Sequence, residues 1–217
     1  MGVPANAAAV VFNLTVTQPE TFGHIRSYPW GSSVPATSNV NFSPNQTVPN
    51  SVTVPVGSDG KVALLNSSKG TVHLIVDISG YYIGGNPTAV GAFVPKVPSR
   101  FVDTRNTAIV ASDTALSFQV AGESSIPANA SAAVFNLTVT QPEAFGHIRA
   151  YPFGGTIPGT SSANFSPNET VANSVIAPIG LNGRISLLNS SSGSTHLLAD
   201  VSGYFLGGVE AAAVPKP

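Results

Sequence analysis

A chain of 217 residues has room for one large or two ordinary domains, each able to bury a sizeable apolar core. Hydrophobic residues make up 42% of it and charged residues only 9%, with Ser, Thr, Asn, Gly and Pro supplying the polarity, which excludes the low-hydrophobicity, high-charge class of disordered chains. A formal net charge of −1 leaves no basic patch for a phosphate backbone, no apolar run approaches the roughly 20 residues of a membrane-spanning helix, and the absence of Cys excludes disulfides and thiolate metal sites.

Along the chain, the first clear element is a strand in which Phe12, Leu14 and Val16 alternate with Asn13, Thr15 and Thr17, the period of two of a half-buried sheet. Further strands are predicted at His24–Tyr28, Ser51–Val56, Lys61–Asn66 and Thr71–Tyr82, separated by turn signals such as Ser43-Pro44-Asn45, Ser58-Asp59-Gly60 and Gly84-Gly85. Residues 97–125 follow, with the charged run Arg100-Phe-Val-Asp-Thr-Arg105 and a strand-like stretch from Ala115 to Val120. The opening pattern then returns. Residues 3–85 align without a gap on residues 126–208, at a constant offset of 123 and with 53 identities in 83 positions. The chain therefore holds one duplicated unit. Only Glu210–Ala213 has helix-forming composition, too short to sustain a helix. The expected architecture is all-β: two tandem β-sandwich modules of Greek-key or jelly-roll type, the first spanning 1–96 and the second 97–217, the latter including the unduplicated 97–125 segment.

Catalytic motifs are absent: there is no Cys nucleophile, H-E-x-x-H, Walker loop, G-x-G-x-x-G or G-x-S-x-G. The chain is expected not to be an enzyme and to carry no cofactor or metal. His73 with Asp77, and His196 with Asp200, lie four apart on a strand, about 13 Å along it, too far to share an ion. The most ligand-like surface is a stripe of alternating residues, His24, Arg26, Tyr28 and Trp30, repeated as His147, Arg149, Tyr151 and Phe153. Planar donors beside an aromatic face suit a sugar, and packing of the module junction is the structural alternative. Pro29 and Pro152 place each stripe along a sheet edge. Asp103 and Arg105, with Arg100, suit a structural ion pair with Asp77 or Asp200, because buried charge must be paired.

Three ordered motifs carry a family resemblance: Pro98–Arg105, Asn13–Thr17 with Asn136–Thr140, and Asp77–Tyr82 with Asp200–Phe205. In pattern form these read P-x-R-h-h-D-T-R, N-h-T-V-T and D-h-S-G-Y-F. The chain resembles the tandem repeats of secreted and cell-surface proteins of actinobacteria, over nearly its whole length. Such repeats accompany peptidases and glycoside hydrolases as appendages, which implies an extracellular attachment or recognition role in a bacterial protein. No basic stretch with a hydrophobic run follows Met1, so a secretory signal is either absent or removed, and removal is the expectation. In that family the D-T-R segment precedes the core, so the second copy looks complete and the first lacks its opening strands.

A sandwich short of strands exposes a sheet edge and an apolar strip. Residues 97–122 folding backwards, the tail Val209–Pro217 or a segment of a neighbouring molecule could cover it, or the first copy is simply a shorter sandwich. Two functions follow. One is a secreted, lectin-like binding module for a glycan or cell-surface polymer, using repeated sites for avidity. The other is a self-assembling structural subunit joined head to tail by strand exchange.

Overall fold

The computed structural model describes residues 2–208; the expected helix-forming stretch and the tail at 209–217 lie outside them. Among the described residues, fourteen strands make four antiparallel sheets, two per module. In the first module, β1 (Ala7–Thr17), β4 (Val48–Pro55) and β6 (His73–Ile83) form the sheet β4-β1-β6, and β2 (Gly23–Pro29), β3 (Val40–Phe42) and β5 (Val62–Asn66) form β3-β2-β5. The second module begins with β7 (Phe93–Asp103) and β8 (Ala115–Gln119), which have no counterpart in the first. It then repeats the pattern as β9 (Ala130–Thr140), β10 (Gly146–Pro152), β11 (Ala163–Phe165), β12 (Val171–Pro178), β13 (Arg184–Ser191) and β14 (His196–Leu206). The module thus starts at Phe93 rather than at residue 97, because β7 is already paired there, Phe93 opposite Phe205.

The second module's sheets run β12-β9-β14-β7 and β11-β10-β13-β8. Counted from β7 as strand one, the orders are 6-3-8-1 and 5-4-7-2, the connectivity of an eight-stranded jelly roll. The first module is the same jelly roll without strands one and two. Its turns use the residues the sequence suggested: Asn45 and Asn168 share φ 61°, and Asp59 and Asn182 sit at 63° and 57°, left-handed values that Asn and Asp tolerate. Three-residue β3 and β11 were not predicted, since Val-Asn-Phe and Ala-Asn-Phe are too short to show a period.

Residues 97–122 do not fold back over the first module. They close the second: β7 pairs with β14 and β8 with β13, and Val102, Val110, Phe118 and Val120 enter its core. The ring of Phe118 meets Phe135 edge-on, centroids 6.0 Å apart. With that cover, Phe135, Ile185, Leu187, Ala199 and Val201 are all fully buried. β9 and β14 are buried on both faces because the first module packs against their outer side, chiefly through β4 and the loop before β3. Asn50 and Asn136 lock that junction: Asn50 Nδ2 donates to Asn136 Oδ1 (2.9 Å), Asn136 Nδ2 donates to the Ser38 carbonyl (2.7 Å), and Asn50 Oδ1 accepts from the Ser174 amide (2.9 Å). Tyr82, Phe93 and Phe205 cluster beside Ala9 and Val134.

Phe135 and Phe12 are the same residue at the same place in the two copies, so they form an internal comparison. Phe135→Ala is expected to cost about 3–5 kcal/mol in urea unfolding, the usual range for a large core truncation. Phe12→Ala is expected to cost less, because the space it leaves opens onto a groove that water can enter.

Candidate functional site

The first module is open on the side where the second is closed. β5 and β6 end their sheets, so their outer backbone groups have no ladder partner, and the side chains that β7 and β8 would cover face outward. Val76 is 42% exposed and Ile78 60%, whereas Ala199 and Val201, their equivalents, are at 0%. Between the two sheets runs an apolar groove of about 800 Å³, lined by Val10, Phe12, Val62, Leu64, Val76 and Ile78, with Val3 to Ala5 at one end. The second module packs at the β3 and β4 side and leaves this groove unobstructed.

The closed side of the second module shows what holds such a strand pair. Arg100 on β7 donates from Nε to Asp200 Oδ1 (2.8 Å) and from Nη2 to Oδ2 (3.0 Å), a two-pronged pair with a carboxylate only 1% exposed. Burial pushes the Asp200 carboxyl up, Arg100 pulls it down, and burial prevails. Arg100 also reaches Asp103 (3.2 Å) and the Ala36 carbonyl of the first module (3.4 Å). Arg105 clasps Asp103 from Nε and Nη2 at 2.9 and 2.7 Å, and holds its carboxyl down at about 2, against the opposing effect of burial. Thr104 Oγ1 accepts from the Leu197 amide (2.8 Å) and bonds to His196 Nδ1 (3.1 Å). Of the predicted ion-pair residues, Asp103, Arg105 and Asp200 thus gather around Arg100. Asp77 does not: it is exposed, without an ion-pair partner among the described residues.

His24, Arg26 and Tyr28 lie on β2, and His147, Arg149 and Tyr151 on β10, with Trp30 and Phe153 just past the strand ends. Each strand has two neighbours only as far as Ile25 and Ile148, and from there to Pro29 and Pro152 it is paired on one side alone. Each proline is the last residue of its strand, where the missing N–H interrupts no further ladder. Arg26 Nε donates to His24 Nε2 (3.0 Å) and Nη1 to the Pro35 carbonyl (3.2 Å); Arg149 Nε donates to His147 Nε2 (2.9 Å). Accepting that bond requires a neutral ring, and burial, then Arg26, then Arg100, lower the His24 pKa accordingly. Tyr28 is half-buried but Tyr151 is buried, Trp30 is 52% exposed, and Phe153 lies under the Arg184 guanidinium at 5.0 Å. The two stripes are therefore not equivalent surfaces. The repeated exposed aromatics are instead Phe22 and Phe145, both 74% exposed in the β1–β2 and β9–β10 loops, where the repeat had placed identical residues but no strand periodicity marked them.

No protein-family model matches the chain, and no curated protein matches it. Among solved structures it is similar to two from infectious bursal disease virus. One is the structure of the Gx strain, at 12% identity and a TM-score of 0.24 over 99% of this chain. The other is the VP2 subviral particle, at 17% identity and a TM-score of 0.23 over 98%. The chain spans 61% of the length of each. A likeness this distant transfers no function.

Arg100→Ala is expected to cost about 3 kcal/mol in denaturant unfolding, because it strands the buried Asp200 carboxylate; Asp77→Ala, at the equivalent place in the first module, should stay within about 0.5 kcal/mol. Asp103 titrates lower in the folded chain than its ordinary 3.8, so its contribution is present above that pH and is lost as pH falls through about 2. The stability difference between the parent chain and Asp103→Asn, followed by urea unfolding at a series of pH values, should shrink from pH 4 downward.

Proposed function

We propose that this chain is a non-catalytic structural subunit of the cell exterior that associates with other polypeptides through the open side of its first sandwich. The observation that carries this reading is the contrast between the two copies: one framework, closed by two strands in residues 93–208 and left apolar and unpaired along β5 and β6 in residues 3–85. An exposed sheet edge flanking an apolar groove is a template for strand addition, which supplies both ladder hydrogen bonds and side-chain burial. The low charge of the chain fits association, since little net repulsion opposes it. The motifs shared with actinobacterial surface repeats support the exterior setting.

A second reading, recognition of a sugar polymer, is favoured by the paired exposure of Phe22 and Phe145. Two identical aromatic tips on one chain suit avid binding to a repeating ligand. On that reading a glycan array gives binding that Phe22→Ala with Phe145→Ala removes.

For assembly, light scattering across a wide concentration range is decisive. The parent chain should rise in mass above 22.1 kDa, and a variant with Val76→Lys and Ile78→Lys should remain at the monomer mass with unchanged circular dichroism. A parent chain that stays monomeric throughout sinks the reading.

A further inference from the structure

We infer that the open side of the first sandwich is a receptor for a two-strand polypeptide segment patterned like residues 93–121 and supplied from outside residues 1–217. The inference rests on the assembly reading and identifies what docks there.

Most of the features that hold 93–121 in the second module have their receiving half in the first. Arg100 pairs with Asp200, and the equivalent Asp77 stands exposed without a cation among the described residues. Thr104 engages His196 and the Leu197 amide, and His73 and Leu74 occupy the same positions on β6. Asn189 Nδ2 donates to the carbonyls of Val110 (3.3 Å), Ala111 (3.1 Å) and Gly193 (2.9 Å), whereas Asn66 Nδ2 has, among the described residues, only the Gly70 carbonyl. Phe93 presses on Gly203 so closely that a Cβ there would collide with its ring, while the equivalent Gly80 has open space on that side. The groove beside Phe12 lies where Phe118 packs on Phe135 in the second module. One difference sets a preference. Ser117 on β8 bonds to Ser186 (2.9 Å), whose counterpart is Ala63, so the matching segment should be apolar where 93–121 has Ser117.

The occupant is not residues 93–121 of a second copy. The described residues hold two frameworks and one closing segment, and that segment is already committed to its own module. Passing it to a neighbour closes one sandwich and opens another, so exchange along a row of copies moves the open side without removing it. Closure requires a segment in excess of the frameworks.

The test is a titration of the full chain with a synthetic peptide of residues 93–121. The expected result is 1:1 binding, new amide protection over residues 61–68 and 73–83, and a loss of at least about tenfold in affinity for both Asp77→Ala in the chain and Arg100→Ala in the peptide, one charged pair at a partly buried site. Fusing the segment by a flexible linker ahead of residue 2 is a second measurement that peptide insolubility cannot disturb, and it should give the same protection. Absence of binding and of protection in the fusion, protection confined to 184–206, or binding indifferent to Asp77 overturns the inference. Self-association that persists unchanged at saturating peptide runs through another surface and sinks the assembly reading, not this inference. A chain that binds the peptide yet never self-associates keeps this inference and sinks association of the free subunit. A chain that self-associates but ignores the peptide does the reverse.

Discussion

Asp200 is a carboxylate buried in the middle of a sheet that is itself covered on both faces, and it is tolerable there only because Arg100 arrives from the first strand of the module to meet it. A buried ion adds little net stability once its desolvation is charged against it, but removing its partner is severe. The pair therefore acts as a register lock. It places β7 against the last strand of the fold, fixes Phe93 over Gly203 at one end and Thr104 against Leu197 at the other, and lets Nη2, which also holds Asp200, reach the Ala36 carbonyl across the module junction. The closed sandwich, its aromatic end and part of the contact with the first module all follow from where that arginine must go.

The first module shows the same framework without that constraint. Its strands keep their register, and Leu14, Val16 and Ile25 are as buried as their counterparts, so six strands suffice to form a core. What changes is the side facing away from the junction. Ile75, Val76 and Ile78 remain apolar in sequence while lying exposed, a combination of high β propensity and low charge on an edge that folded proteins ordinarily blunt with charge or proline. The chain keeps there the chemistry of a surface meant to be covered.

Much of the fold was legible because duplication doubled every signal: alternation in Asn13–Thr17 and Asn136–Thr140, and turns at Asp59-Gly60 and Asn182-Gly183, pointed to the same strands twice. The ion-pair residues were conspicuous against so little charge. Their pairing was not readable, since Asp77 and Asp200 sit in the same D-x-S-G-Y motif; topology decides, because a jelly roll sets strand one beside strand eight of its own module. The stripe at His24 and Arg26 was recognised as alternation, but alternation does not reveal that each arginine turns inward to its histidine, nor that Tyr28 and Tyr151 differ in depth. Burial is set by what covers a residue, and the covering elements lie far off in the chain.

The pairing of β7 with β14 joins residues 100 apart in sequence, Arg100 to Asp200. In a chain made from its N-terminus, the six strands of the first module are complete before β7 emerges, whereas the second module must hold β7 and β8 unpaired until its own final strands arrive. Contacts of such long separation close slowly, because loop entropy is lost before the pairing returns anything. From the completion of β8 at Gln119 until β13 and β14 emerge, then, the nascent chain carries a finished but open framework next to a closing segment that still lacks its own partners, and the order of events along the chain decides which framework that segment meets first.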